Sequence, residues 1–401
     1  MALTLELYDE SSCSWSDKTN KCVSFRHRVS GHELELIEFE LVEENVNVGQ
    51  RVRVRKNDNI IFEGVIYERS LRQRKGLLSV RAIAYSYLIL YDRQIIYRIY
   101  QSGVKAGEII RDLAKLIEDE ISVNLIGVED GDALLSPWKI ENCSALEIMR
   151  NVAKGTNYWL RMKPCLSYLE FDGFNDRIII PSPLVGANPF TIEACVNIST
   201  YESNDRGQMI IGNYRGRYRG FCFTIAPYSG KPRLYVGRQS DTIQVYATSS
   251  IPLELNKWYV LFGIYDGTYA RVYIGNELTG EKEFHPIEAE TADTWIGQGQ
   301  WAFAEGKPFC YLTGKIAYIR VYDNKALNED EREHNLNNPF SPITENLVLW
   351  FSGVRFENNT VLDLSENGNY GTAYGGISQG HEVYPKYVNS MLLEFKPKVI
   401  T

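Results

Sequence analysis

From Leu169 onward, short aromatic-rich runs alternate with turns of Gly, Asn and Asp, a rhythm that commits most of the chain to antiparallel β-structure. The runs read FTIEACVNIS, GQMIIGNY, GFCFTIAP, PRLYVGR, NKWYVLFGIYDGTYARVYIGNEL and GKIAYIRVYD. Most span a strand's length, and the longest is divided by the turn at Asp266-Gly267.

The first part of the chain has a different grain. LELIEFELV, RVRVRK, IIFEGVIYERS and LLSVRAIAYSYLIL, between Leu34 and Leu90, alternate with period two and predict a small twisted barrel or sandwich, with KNDN (56–59) as a turn. The period then changes. In VKAGEIIRDLAKLIEDEI, residues Ile109, Ile110, Leu113, Leu116 and Ile117 form one stripe, which predicts an amphipathic helix of about four turns. A second helix is expected over SALEIMRNVAKG, with Ser144 and Glu147 at capping-box spacing and Gly155 at its end. NYWLRMKP and LSYLEF then read as two strands of a hairpin around Pro164.

Composition sets outer limits. At 401 residues the chain has length for two or three cores, and 26 Tyr favour strands and wet binding surfaces. A formal charge of −8 argues against general nucleic-acid binding, which needs a basic face. No run approaches a membrane-spanning length, and MALTLELYDESSCSWSDK lacks the basic start and apolar run of a Sec signal. Seven scattered cysteines without a CxxC pair read as reduced thiols, with Cys13 and Cys22 spaced to close a loop.

The order of elements over residues 1–168 (a barrel with IIFEGVIYERS, the AGEIIRDLAKLI helix, PWKIENCS, and SALEIMRNVAKGTNYWLRMKP) resembles the tail hub and baseplate proteins of tailed phages. That resemblance implies a virion protein of a tail tip, assembled in the host cytoplasm. It would form a homo-oligomeric ring, trimeric or hexameric, on the tail tube beside other tail-tip proteins.

From 169 to about 376 the motifs resemble, in order, the laminin-G-like, concanavalin A-type jelly roll. LEFDGFNDRI matches its Phe-Asp-Gly-x-x-Asp signature. KWYVLFGIYDGTYARVYIGNE matches its hairpin with a packed Trp258 and a turn at Asp266-Gly267, and KIAYIRVYDNKALNEDE matches its last strand and short helix, with Asn328 as N-cap. In that family DLSENGNYGT precedes LEFDG, whereas here it follows the final strand. The expected fold is therefore mostly β: a small barrel (1–98), a two-helix α/β segment (99–168), a circularly permuted jelly-roll sandwich (169–390) and a returning strand (391–401). Permutation is tolerated where a domain's ends lie together. NSMLLEFKPKV echoes SYLEF, so Leu392–Phe395 is expected to pair with YWLRM, making the lectin-like module an insertion.

Chemistry is sparse. The five histidines are dispersed, and no HExxH, GxSxG or phosphate-binding loop occurs. Some jelly rolls of this shape are glucanases with a Glu-x-Asp-x-x-Glu strand, and 169–390 holds none, so a non-enzymatic chain is expected. Asp172 and Asp176 in one turn, with Asp363 and Asn367 in another, offer hard oxygen ligands for calcium or sugar hydroxyls, although no cofactor is required. Their alternative role is turn capping. Tyr214, Tyr218, Trp295 and Trp301 fall in expected loops where a ring could stack on a pyranose, and Arg215, Arg217 and Arg219 could grip an acidic glycan. The partner so implied is a host cell-surface glycan. A free-standing lectin is the competing reading, and a glycan-degrading enzyme the third.

Overall fold

The computed structural model describes all residues except 1–2, 10, 13, 30–33, 75–76, 118–120, 202–206, 215–217, 239, 241, 301–309, 340, 384, 386–389 and 398–401. The suggested Cys13–Cys22 loop therefore lies outside the described residues. The chain divides into two compact units, Met1–Leu166 with Glu382–Thr401, and Ser167–His381.

The first unit contains a seven-stranded antiparallel sheet, in spatial order Ser14–Asp17, Leu3–Asp9, Arg51–Lys56, Asn59–Arg74, Leu77–Ser86, Leu36–Val42 and Cys22–Arg28. Among the described residues nothing joins its two edges, so it is an open half-barrel where the sequence suggested a barrel. Leu5, Leu7, Ile37, Phe39, Leu41, Val52, Val54, Phe62 and Val80 fill its inner face, as period two demands. Asn57 and Asp58 both adopt positive φ at the expected turn. The expected strand through Leu90 instead ends at Ser86, and Tyr87–Arg93 is a 3-10 helix with Tyr87–Tyr91 all buried. An unbroken apolar run fits either geometry, and burial on every side favours the helical one here.

The first helix is shorter than its stripe, running Ala106–Ala114 before a 3-10 turn over Lys115–Ile117. The second spans Ala145–Thr156. Ser144 caps it by accepting the Glu147 N–H, and Asn157 at φ 58° takes the left-handed end position expected of Gly155. Pro164 breaks nothing: Tyr158–Asp172 is one strand, not a hairpin. Its first half pairs antiparallel with Ser390–Pro397 in the register Leu160↔Phe395, Met162↔Leu393 and Pro164↔Met391, so Leu392–Phe395 does lie on YWLRM.

The second unit is a jelly-roll sandwich. In one sheet Thr313–Asp323 lies between Phe190–Ile198 on one side and, on the other, Leu169–Asp172 along its first half and Leu347–Glu357 along its second. Trp258–Tyr265, Tyr269–Ile274 and Glu277–Glu283 follow beyond Phe190–Ile198. The other sheet runs Thr360–Asp363, Gly371–Tyr374, Arg177–Ile180, Thr294–Ile296, Gln208–Gly212, Phe221–Ile225, Pro232–Arg238 and Ile243–Thr248. The late segments 347–357 and 371–374 thus sit beside 318–322 and 177–179, the place an opening strand would fill. Trp258 packs on Tyr168 and Asp266 closes its turn by accepting the Thr268 and Tyr269 N–H groups, as the motif implied.

The outer face of the first of these sheets carries a buried polar knot. Glu193 and Arg320, opposite each other and both fully buried, form an ion pair at 2.8 Å. Asn335 donates to the second Glu193 oxygen at 2.8 Å, and Arg320 also donates to the Pro339 carbonyl at 2.7 Å. The helix Glu329–Asn337 has no apolar stripe; its buried residues are Arg332 and Asn335, so hydrogen bonds dock it. Asn328 caps it in a capping box with Glu331. Replacing Glu193 by Ala strands Arg320 as a buried unpaired cation, and urea unfolding should show a loss of about 3–5 kcal/mol. A loss below about 1 kcal/mol would show that the knot is dispensable.

Candidate functional site

Register decides what the eight-stranded sheet offers on each face, because directly opposed residues point the same way. The row Ala373, Ile178, Ile296, Ile211, Phe223, Leu234 and Ala247 is continuous across seven strands and lies wholly in the core. The neighbouring row, Thr372, Ile179, Trp295, Gly212, Cys222, Tyr235 and Tyr246, points to the opposite face.

That outer row carries the unit's aromatic cluster. Tyr235 lies 4.5 Å from Tyr214 and 5.3 Å from Tyr246, centroid to centroid. Tyr235 is buried against Met209 and Cys222, and burial, with Tyr214 beside it, pushes its hydroxyl well above the ordinary tyrosine range. Tyr246 is 43% exposed, so the cluster ends in an accessible ring. The Arg233 guanidinium lies 4.8 Å over that ring, and the Tyr214 hydroxyl reaches Gln244 at 3.4 Å. Farther along the same face, Arg177 lies 5.6 Å from the Trp295 ring and 4.9 Å from that of Tyr374.

The sequence-predicted residues are distributed unevenly around this face. Tyr214 belongs to it. Tyr218, at φ 57° and 37% exposed, sits where its carbonyl crowds Gly237 of the neighbouring strand. Trp295 is not in a loop: Thr294–Ile296 pairs on both sides, as its β-branched and aromatic residues favour, and the indole is only 7% exposed. Arg219 is paired with buried Glu290 at 3.2 Å, so its charge anchors the 213–220 connection. Asn213 completes that anchor, accepting from the Phe221 N–H and donating to the Pro183 carbonyl. Arg215, Arg217 and Trp301 lie outside the described residues. Tyr235, Tyr246, Arg233 and Gln244 were missed. Their signal was period two in PRLYVGR and IQVYAT, where each apolar core residue alternates with an outward one.

The carboxylates expected to hold calcium act as turn clamps. Asp172 accepts from the Phe174 N–H, while buried Asp176 accepts from the Asp172 and Gly376 N–H groups. Burial raises the Asp176 carboxyl against the lowering effect of those donors. Asp363 accepts from the Trp350, Ser365 and Asn369 N–H groups and the Ser365 hydroxyl, each at 2.9 Å. Asn367 donates to the Leu347 carbonyl at 2.8 Å. The two turns do not converge, and among the described residues no three Asp, Glu, His or Cys side chains could hold an ion together. Asp176 matters differently: by binding the Gly376 N–H it ties the late segment to the turn that opens the sandwich.

Residues 172–331 match the family profile of the concanavalin A-like lectin/glucanases superfamily. No curated protein matches the chain. Similar solved structures include a candidate carbohydrate-binding protein from Bacteroides ovatus, at 14% identity over 92% of each chain with a TM-score of 0.45. The native heptameric SAP-like pentraxin of Limulus polyphemus is 16% identical over 53% of this chain and 94% of its own, with a TM-score of 0.37. The Ruminococcus gnavus IT-sialidase CBM40 is 11% identical over 43% of this chain and 96% of its own, with a TM-score of 0.33. At TM-scores below 0.5 these likenesses are loose, and the concanavalin A-like fold rests on the family profile and the strand pairing.

The Asp176 clamp makes Gly375 sensitive. A Cβ there, at φ 93°, would lie 2.2 Å from an Asp176 oxygen. Gly375→Ala should cost about 1–3 kcal/mol beyond Gly368→Ala, whose added carbon meets nothing within 4 Å, when both are compared by thermal unfolding.

Proposed function

We propose that this chain is a non-enzymatic glycan-binding protein whose lectin-like unit contacts carbohydrate on the outer face of the sheet bearing Tyr235 and Tyr246. One observation carries the reading: the seven strands RIII, TWI, QMIIG, FCFTI, PRLYVGR, IQVYAT and GTAY hold aromatic, hydroxyl and arginine side chains but not one Asp or Glu. Most glycoside hydrolases use two carboxyl groups, about 5–5.5 Å apart for retention and about 6.5–9.5 Å for inversion. A face built from these strands supplies neither. It offers instead a ring on which a pyranose can stack, with hydroxyl and amide groups at its margin.

The remainder of the chain is the carrier. The resemblance of residues 1–168 to tail hub proteins supports a ring-forming subunit of a phage-like tail tip. The observation favouring that reading is the insertion: Ser167–His381 is bracketed by strands 158–165 and 390–397, which pair with each other. A subunit of this design presents its lectin-like unit once per copy, so weak sugar contacts add by multivalency.

Tyr246→Ala should weaken binding to the best ligand of a glycan array by about ten-fold or more, near 1.4 kcal/mol, with the melting temperature unchanged. Release of reducing sugar from that ligand would overturn the non-enzymatic reading. Mass measurement of the purified chain should give a trimer or hexamer; a monomer at micromolar concentration would leave the glycan-binding reading without the ring.

A further inference from the structure

The arginines of the second unit are not equivalent. Arg219 is paired with Glu290, Arg271 with Asp266 and Glu281, and Arg320 with Glu193. Arg233 has no ion pair among the described residues. Its Nε is buried without a hydrogen-bond partner, and its guanidinium lies over Tyr246. The buried Nε is closed to any ligand, and the half-buried cation without a counter-charge leaves its terminal amino groups as the end an anion could meet.

The surroundings of Arg233 are consistent in kind. Its direct neighbours across the sheet are Thr224 on one side and Thr248 on the other. Next along the strand comes Tyr235, opposite Tyr246. Hydroxyls, an aromatic platform and an uncompensated guanidinium therefore share one face of three adjacent strands, and these strands contain no acid to neutralise the charge.

We infer that this face takes an acidic glycan, and that Arg233 receives its carboxylate or sulfate while Tyr246 carries the sugar ring. The inference rests on the glycan-binding reading above and narrows its ligand class. The guanidinium fork presents two parallel N–H groups to an oxyanion, and stacking on Tyr246 fixes the fork's plane before the ligand arrives. Partial burial limits screening, so the preference should weaken with salt without vanishing.

Titration calorimetry on the full chain tests this with matched pairs: oligogalacturonate against its methyl ester, sialyllactose against lactose, and a sulfated against an unsulfated oligosaccharide. The acidic member of at least one pair should bind about ten-fold tighter or more. Which pair responds separates carboxylate from sulfate recognition. Arg233→Gln should erase the difference. Arg233→Lys, which keeps the charge and loses the fork, should retain part of it. Thermal melts of both variants check the fold, and the lysine variant carries the test should the glutamine variant not fold. Equal affinity within every pair, or a preference that survives Arg233→Gln, overturns this inference and leaves glycan binding standing. Binding to no member of any pair overturns both.

Discussion

The register that aligns Ile178, Ile296, Ile211, Phe223, Leu234 and Ala247 is the constraint from which the lectin-like unit follows. Each of these side chains is buried in the core, and each contributes about 1–3 kcal/mol by leaving water. Because strand side chains alternate, the same register places Trp295, Cys222, Tyr235 and Tyr246 on the opposite face. A slip of one residue would exchange the rows, putting tyrosine hydroxyls and Arg233 into the core. The energetic demand of the interior thereby fixes which side chains the exterior presents.

Where apolar burial does not act, buried charge does. The Glu193–Arg320 pair sits on the outer face of the other sheet, beneath a helix with no apolar stripe. Such a pair adds little net stability compared with a hydrophobic substitute, but it tolerates only one arrangement of its partners. Here those partners are Asn335 and the Pro339 carbonyl, both in the segment leading from the strand 313–323 towards the late strand 347–357, with Asn335 also donating to the Tyr322 hydroxyl of that strand. Asp176 and Asp363 serve the same end at the rim. Each uses its oxygens on backbone N–H groups from separate segments, which holds the permuted strands where an opening strand would lie.

This accounts for the double use of acidic side chains in the unit. Asp172, Asp176 and Asp363 accept backbone N–H groups at the turns, while the seven strands that carry the outer row from Thr372 to Tyr246 hold no Asp or Glu. Arg233 on that face has no ion pair among the described residues, unlike Arg219, Arg271 or Arg320.

Much of this was legible in the chain itself. Period two located the strands, the helical stripe and Ser144 located the helices, and the echo of SYLEF in LLEF identified the return strand, because these depend on local geometry and residue order. The end of the strand at Ser86, the single strand through Pro164 and the open edges of the first sheet were not legible, since an apolar run or a lone proline fits more than one pairing. The candidate face was hardest to foresee. Sequence alternation says that Tyr235 and Arg233 share a face, but only the register of the four consecutive strands between Gln208 and Thr248 sets Tyr235 beside Tyr214 and Tyr246 and lays Arg233 over Tyr246. Whether Asp176 or Arg219 is free to meet a ligand was likewise decided by tertiary contacts, because the Gly376 N–H and the Glu290 carboxylate that occupy them lie 200 and 71 residues away.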